Sequence, residues 1–165
     1  MERNRRKILN RAKKEFKLGL NSVHGIGHWT RVYRNGTILS PITGADLNLI
    51  WYFAFLHDVC RENEWKDPEH GVRAAVFIEG LVGAGVLGLS DSDFFELRTA
   101  VWFHNGASPL EKQTQSITVQ TCWDCDRLDL SRPGVGKTID PNQLFTGAAK
   151  NPDMIRDAVK RSLYF

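Results

Sequence analysis

Ile8, Leu9, Ala12, Phe16 and Leu20 recur at helical spacing, which predicts a first helix with one buried stripe and a charged outer face. In NSVHGIGHWTRVYRNG an Asn or Ser can cap a second helix, two glycines precede His28, and Asn35 and Gly36 are expected to stop it. The Pro and Gly of SPITGADLNLIWYFAFLHDVC mark a loop, and Ala45 or Asp46 opens a third helix. That segment is apolar all round, as a helix crossing the core would be. DPEHGVRAAVFIEGLV places Asp67 at an N-cap and Pro68 at the first helical position.

Another helix is expected through SDSDFFELRTAVWFHNG, capped by Asp91 or Ser92 and stopped by Asn105-Gly106 just after His104. The later part of LEKQTQSITVQTCWDCDRLDLSRPG reads as helix, although the β-branched cluster Ile117, Thr118 and Val119 also suits a strand. NPDMIRDAVKRSLYF is an amphipathic final helix. No alternating strand pattern persists and no internal repeat is present. The pattern predicts an all-α architecture.

The totals narrow this picture. A chain of 165 residues suits one domain spanning residues 1–165. With 42% hydrophobic and 25% charged residues it matches soluble globular composition. No apolar run is long enough to span a bilayer, and the N-terminal segment lacks the apolar core of a secretion signal. A cytoplasmic protein without a membrane partner is expected. Cys60, Cys122 and Cys125 form an odd, sparse set, which argues against a disulfide framework and for a reducing compartment. The first seventeen residues hold eight Lys or Arg against two Glu. Because they interleave with the helical stripe, they read better as a solvated face than as a nucleic-acid site. Nothing in these numbers sets the oligomeric state.

The stretch FAFLHDVC, residues 53–60, raises the chemical question, because it sets a histidine and an aspartate inside an apolar run. Unpartnered, each would be costly to desolvate. The chain has five histidines, His24, His28, His57, His70 and His104. The last four fall near helix ends, where side chains from different helices can meet. With Asp58 and with Asp126 in WDCDRLD they offer four imidazoles and two carboxylates. That set suits one or two divalent transition-metal ions of the Mn, Fe, Co, Ni or Zn type. His57 and Asp58 can both face an ion only if the last helical turn loosens, which the following Cys60, Arg61 and ENEWKDP allow.

The order of His28, then His57-Asp58, then Asp126 in DCDRLD resembles the H…HD…D signature of the HD-domain superfamily. HGIGHWTRV, FLHDVCRE and CDRLDL are similar to those of small stand-alone bacterial HD proteins, and the resemblance covers about residues 20–135. It implies an all-helical, single-domain HD-like bundle and a metal-dependent phosphohydrolase acting on a small phosphorylated molecule, a nucleotide or a related phosphate ester. It implies His28, His57, Asp58 and Asp126 as ligands of a first ion, and His70 and His104, with Asp58, as ligands of a second. Asp126 is preferred to Asp124 as the closing ligand, and Asp124 and Asp129 read as solvent-facing or helix-pairing acids.

Asp58 and Arg61 are the expected catalytic residues: Asp58 would orient the attacking water and Arg61 would clamp phosphate oxygens. Arg31 is a weaker phosphate candidate. The resemblance leaves two alternatives, a di-iron oxygenase of the same fold and a non-catalytic sensor of metal or nucleotide. His24 is read as a helix-entry or pocket-rim residue, since Gly25 stands where a zinc protease needs its glutamate. Substrate choice is expected to depend on loops 61–67 and 105–115.

Other motifs are discounted. GAGVLG, residues 83–88, follows a helix rather than a strand, so it fails as a dinucleotide fingerprint. GVGKT, residues 134–138, lacks the first glycine of a phosphate loop, Ser131 standing in its place, though Lys137 could approach a phosphate. A single C-x-x-C at Cys122 and Cys125 indicates buried thiols. The aromatics Trp51, Tyr52, Phe53, Phe55, Trp102 and Phe103 are expected to wall the metal pocket.

Overall fold

A computed structural model describes residues 2–106 and 115–163, so most of the 105–115 loop lies outside the described residues. Among the described residues there are helices and no strands, as the periodicity requires. In chain order they are α1 (Glu2–Glu15), α2 (Ile26–Thr43), α3 (Leu47–Leu56), α4 (His70–Gly83), α5 (Asp91–Phe103), α6 (Ile117–Arg127), a short 3-10 turn (Pro141–Gln143), α7 (Gly147–Lys150) and α8 (Pro152–Leu163).

Helix α3 is the axis of the molecule. Asp46 caps it, accepting from the backbone N–H groups of Asn48 and Leu49, and every residue from Leu49 to Leu56 is buried. Such a helix has no wet face, so α1, α2, α5 and α6 all pack against it. α1 covers one side with Ile8 and Ala12, and its Arg5 lies over the Trp51 ring and donates to Asn48. α4 rests on α5. Ser90 and Ser116 cap α5 and α6, and the Trp123 indole of α6 donates to the Ala100 carbonyl of α5. The cluster Ile117, Thr118 and Val119 is therefore helical.

Four boundaries differ from expectation: α2 is entered at Gly25 with no side-chain cap rather than at an Asn or Ser, α5 is capped by Ser90 rather than by Asp91 or Ser92, and two others bear on packing. α2 does not stop at Asn35-Gly36 but runs through Pro41 to Thr43, ending on Gly44 in the left-handed region. Asn35 is buried and donates to the Cys125 carbonyl. A Cβ on Gly36 would lie 2.3 Å from Ile50 Cγ2; this glycine permits close helix approach rather than a turn. α4 begins at His70, two residues later than a cap at Asp67 predicts. The Asp67 carboxylate instead accepts from Glu62 N and takes both oxygens to Arg73 Nη2, at 2.7 and 2.6 Å. No helix among the described residues is long and apolar enough to cross a membrane.

Candidate metal centre

Five helices deliver the predicted ligands from their ends. His28 sits in the first turn of α2, His57 is the C-cap of α3, His70 opens α4, His104 is the C-cap of α5, and Asp126 closes α6. The chain leaves helical hydrogen bonding at His57 and turns through residues 57–60, so the neighbours His57 and Asp58 can face the same space.

All six residues converge. His28 Nε2 lies 3.1 Å from His57 Nε2, 3.5 Å from Asp58 Oδ2 and 3.3 Å from Asp126 Oδ1. His57 Nε2 lies 3.5 Å from the same Asp58 oxygen. The other oxygen of Asp58 faces a second cluster, with Oδ1 3.1 Å from His70 Nε2 and 3.6 Å from His104 Nε2, the two imidazoles being 2.8 Å apart. Asp58 thus stands between two groups of imidazoles, one oxygen toward each. Two compact donor triads form, His28, His57 and Asp126 within the first group, and His57, Asp58 and His104 across the two.

The outer atoms decide what the inner ones can do. His57 Nδ1 lies against the carbonyls of Phe53 and Ala54, His104 Nδ1 against that of Val101, and His70 Nδ1 against that of Asp67. His28 Nδ1 lies 2.7 Å from Asp129 Oδ2. At His28, His57 and His104 these partners only accept, so Nδ1 carries a proton there; His70 Nδ1 is also approached at 3.2 Å by the donors Arg61 Nη1 and Asn105 Nδ2, and all four Nε2 atoms turn inward as potential donors of a lone pair. Four such nitrogens beside two buried or half-buried carboxylates make a space lined with acceptors. The residues fit one or two divalent cations, which would satisfy these lone pairs and charges.

The ionisation tendencies set the two imidazoles of the first half apart, His57 held neutral and His28 drawn toward its protonated form. Burial is the largest influence on both imidazoles of the first half. At His57 it outweighs Asp58 and Asp126 and holds the pKa down to about 3. At His28 the hydrogen bonds of Asp126, Asp129 and Asp58 overcome both burial and the repulsion of Arg132, raising it to about 9. Burial also works against charge on Asp58 and Asp126, yet the surrounding histidines keep both well below the usual carboxylate range.

Arg61 reaches the second half. Its Nη1 is 3.3 Å from Asp58 Oδ1 and 2.9 Å from His70 Nε2, so His70 can serve the guanidinium or an ion but not both. The other predicted residues divide. Arg31 is buried with its Nε 2.7 Å from Asp129 Oδ1, a structural tie rather than a phosphate contact. His24 Nδ1 meets Glu64 Oε2 at 2.5 Å at the pocket rim. Lys137, carried past the left-handed Gly134 and Gly136, also lines the pocket. Of the aromatics, Phe53 stacks on His57 with ring centroids 4.8 Å apart. Trp51 and Phe55 instead pack on each other, and Phe103 is exposed. Cys122 and Cys125 are buried thiols pushed well above their ordinary pKa by burial.

Asp124 and Asp129 correct the solvent-facing reading, since both are fully buried. Asp129 holds His28 and Arg31, and Arg132 Nη1 lies 3.7 Å from its carboxylate. Asp124 accepts from the backbone N–H groups of Phe145 and Thr146 and from the Thr146 hydroxyl. Asp129 lies past the end of α6, in the turn at 128–130, where helical spacing from Asp126 gives no signal.

A pocket of about 350 Å³ opens onto Asp58, Asp126, His70 and His104. Its remaining walls come from the 61–65 loop (Arg61, Glu64, Trp65) and from the stretch following α6 (Leu130, Arg132, Val135, Lys137), with Asn105 and Arg127 between.

No family model matches the chain, and no curated protein matches it. Among solved structures, the crystal structure of a predicted HD superfamily hydrolase from an uncultured Thermotogales bacterium superposes with a TM-score of 0.69 at 26% identity. The match covers 94% of this chain and 84% of that one. The chain has the HD-domain fold. The buried His/Asp cluster is compatible with divalent metal binding.

Proposed function

We propose that the protein is a metal-dependent phosphohydrolase acting on a small phosphate ester, a nucleotide or a related compound. The observation that carries this reading is the two-sided placement of Asp58, one oxygen toward His28 and His57 and the other toward His70 and His104, at the floor of a ligand-sized pocket. The name of the structural neighbour, a predicted hydrolase, supports the same class.

In this reading His28, His57, Asp58 and Asp126 would hold a first ion, and His70 and His104, with Asp58, would hold a second. The bound ions would supply Lewis acidity and a water of lowered pKa. The chain's own residues do the rest. Asp58 orients the attacking water through whichever carboxylate lone pair is left free. Arg61, 3.3 Å from that carboxylate, exchanges its contact with His70 for the phosphate oxygens and offsets their charge as the ester bond breaks. Phe53, stacked on His57, keeps the back of the cluster dry.

The test is a panel of phosphate esters offered to the protein as purified, with bound metal measured alongside. Arg61→Ala should lower kcat/KM by about tenfold to a thousandfold, the range for a lost charge-stabilising donor, and leave metal content unchanged. Hydrolysis of no ester by metal-loaded protein would overturn the proposal, and so would ester-independent oxygen consumption by an iron-loaded form.

A further inference from the structure

Among the described residues Trp65 is the most exposed of the large apolar side chains, at 75%, and it lines the pocket above the metal cluster. Leaving an indole in water forgoes the gain that burying so large an apolar surface brings. Looseness does not explain it, because the loop that carries Trp65 is tied at each step. Lys17 pairs with Glu62 at 2.8 Å, and Glu62 N donates to Asp67, itself forked to Arg73. Asn63 Oδ1 accepts from the backbone of both Trp65 and Lys66, and Glu64 is held by His24. A fixed loop presents the ring, and its indole has no ring or hydrogen-bond partner among the described residues.

The rest of the pocket says what the ring is for. Apart from Trp65, its apolar lining consists of Leu130 and Val135, from the stretch following α6, while the metal floor is wholly polar. A ligand with its phosphate at the floor would therefore carry its non-phosphate end into a zone with an aromatic face on one segment and aliphatic side chains on another. From this we infer that Trp65 is a specificity-determining residue: the substrate is a phosphate ester whose leaving group bears a flat ring, stacked on the Trp65 indole. The claim rests on the hydrolase reading for the word substrate. The stacking subsite itself needs only that phosphate-bearing ligands enter this pocket.

Two readouts separate those dependencies. In turnover, Trp65→Ala should lower kcat/KM for naphthyl phosphate by about tenfold, the worth of one stacked ring, and change glycerol phosphate by less than about twofold; Trp65→Phe should recover most of the loss. In calorimetry, naphthylphosphonate and methylphosphonate, whose P–C bonds resist hydrolysis, are titrated into the same proteins. Trp65→Ala should weaken the naphthyl ligand by a similar factor and spare the methyl one. If neither ester is hydrolysed but the phosphonates behave so, the subsite stands and the hydrolase reading falls. Equal effects on ring-bearing and ringless ligands, no effect on either, or no binding of naphthylphosphonate to the parent protein would each overturn the inference.

Discussion

Asp129 faces three cationic or protonatable groups from inside the fold: His28 Nδ1, Arg31 Nε and Arg132 Nη1. Its charge fixes the tautomer of a ligand it never lets reach solvent, so Asp129→Asn should weaken metal affinity about tenfold to a hundredfold while the fold persists. Proton competition adds a sign. His28 is raised to about 9, and a protonated imidazole cannot ligate. Affinity should then climb with pH, roughly tenfold per unit between neutrality and that value, and level off above it. Because Asp129 is one of the groups that raises His28, the Asn variant should climb at the same slope but level off at a lower pH. Metal titration against a competing chelator at several pH values reads both effects. A flat profile, unchanged by the substitution, would remove Asp129 from the centre.

At the scale of elements, glycine decides how closely helices meet. A Cβ on Gly71 would lie 2.8 Å from the Val101 carbonyl and 2.9 Å from that of Trp102, and backbone oxygens in a helix cannot step aside. The first turn of α4 can thus sit directly on the last turn of α5, and this brings His70 to His104. Gly71→Ala should prise the two apart, cost about 1–3 kcal/mol of stability, and reduce bound metal by about one ion per chain, while the ion at His28 and His57 stays. Elemental analysis of the purified variant settles the point: undiminished metal would mean that the contact does not govern the second position. The same physics explains where the helix boundaries were illegible. Period located α3 and placed its start at Ala45 or Asp46, but Gly36 looks like a stop and Gly71 like an ordinary helical residue in one dimension, and both act as contact surfaces in three. Asp67 has the chemistry of a cap and is drawn off by Arg73, six residues away.

Across the whole molecule, a centre assembled from five helices exists only when all five are in place, so an ion that binds it stabilises the fold by mass action. Stripping metal with a chelator should lower Tm, and restoring a divalent ion should raise it in proportion to the logarithm of concentration. His57→Ala should abolish the response; a Tm indifferent to chelation would argue that the cluster holds no ion. The convergence of His28, His57, Asp58, His70, His104 and Asp126 was legible because residue order and helix ends are one-dimensional facts. The supporting groups Asp129, Arg132, Glu64 and Trp65 were not, since their partners come from other segments and only the assembled bundle pairs them. Asp124 shows how far that dependence extends. Two residues before the closing ligand, it fastens α6 to Phe145 and Thr146, well past the span that carries the recognisable signature. A minimal fragment cut at the end of that signature would strand a buried carboxylate without donors, so the smallest autonomous unit must include the stretch that looks dispensable.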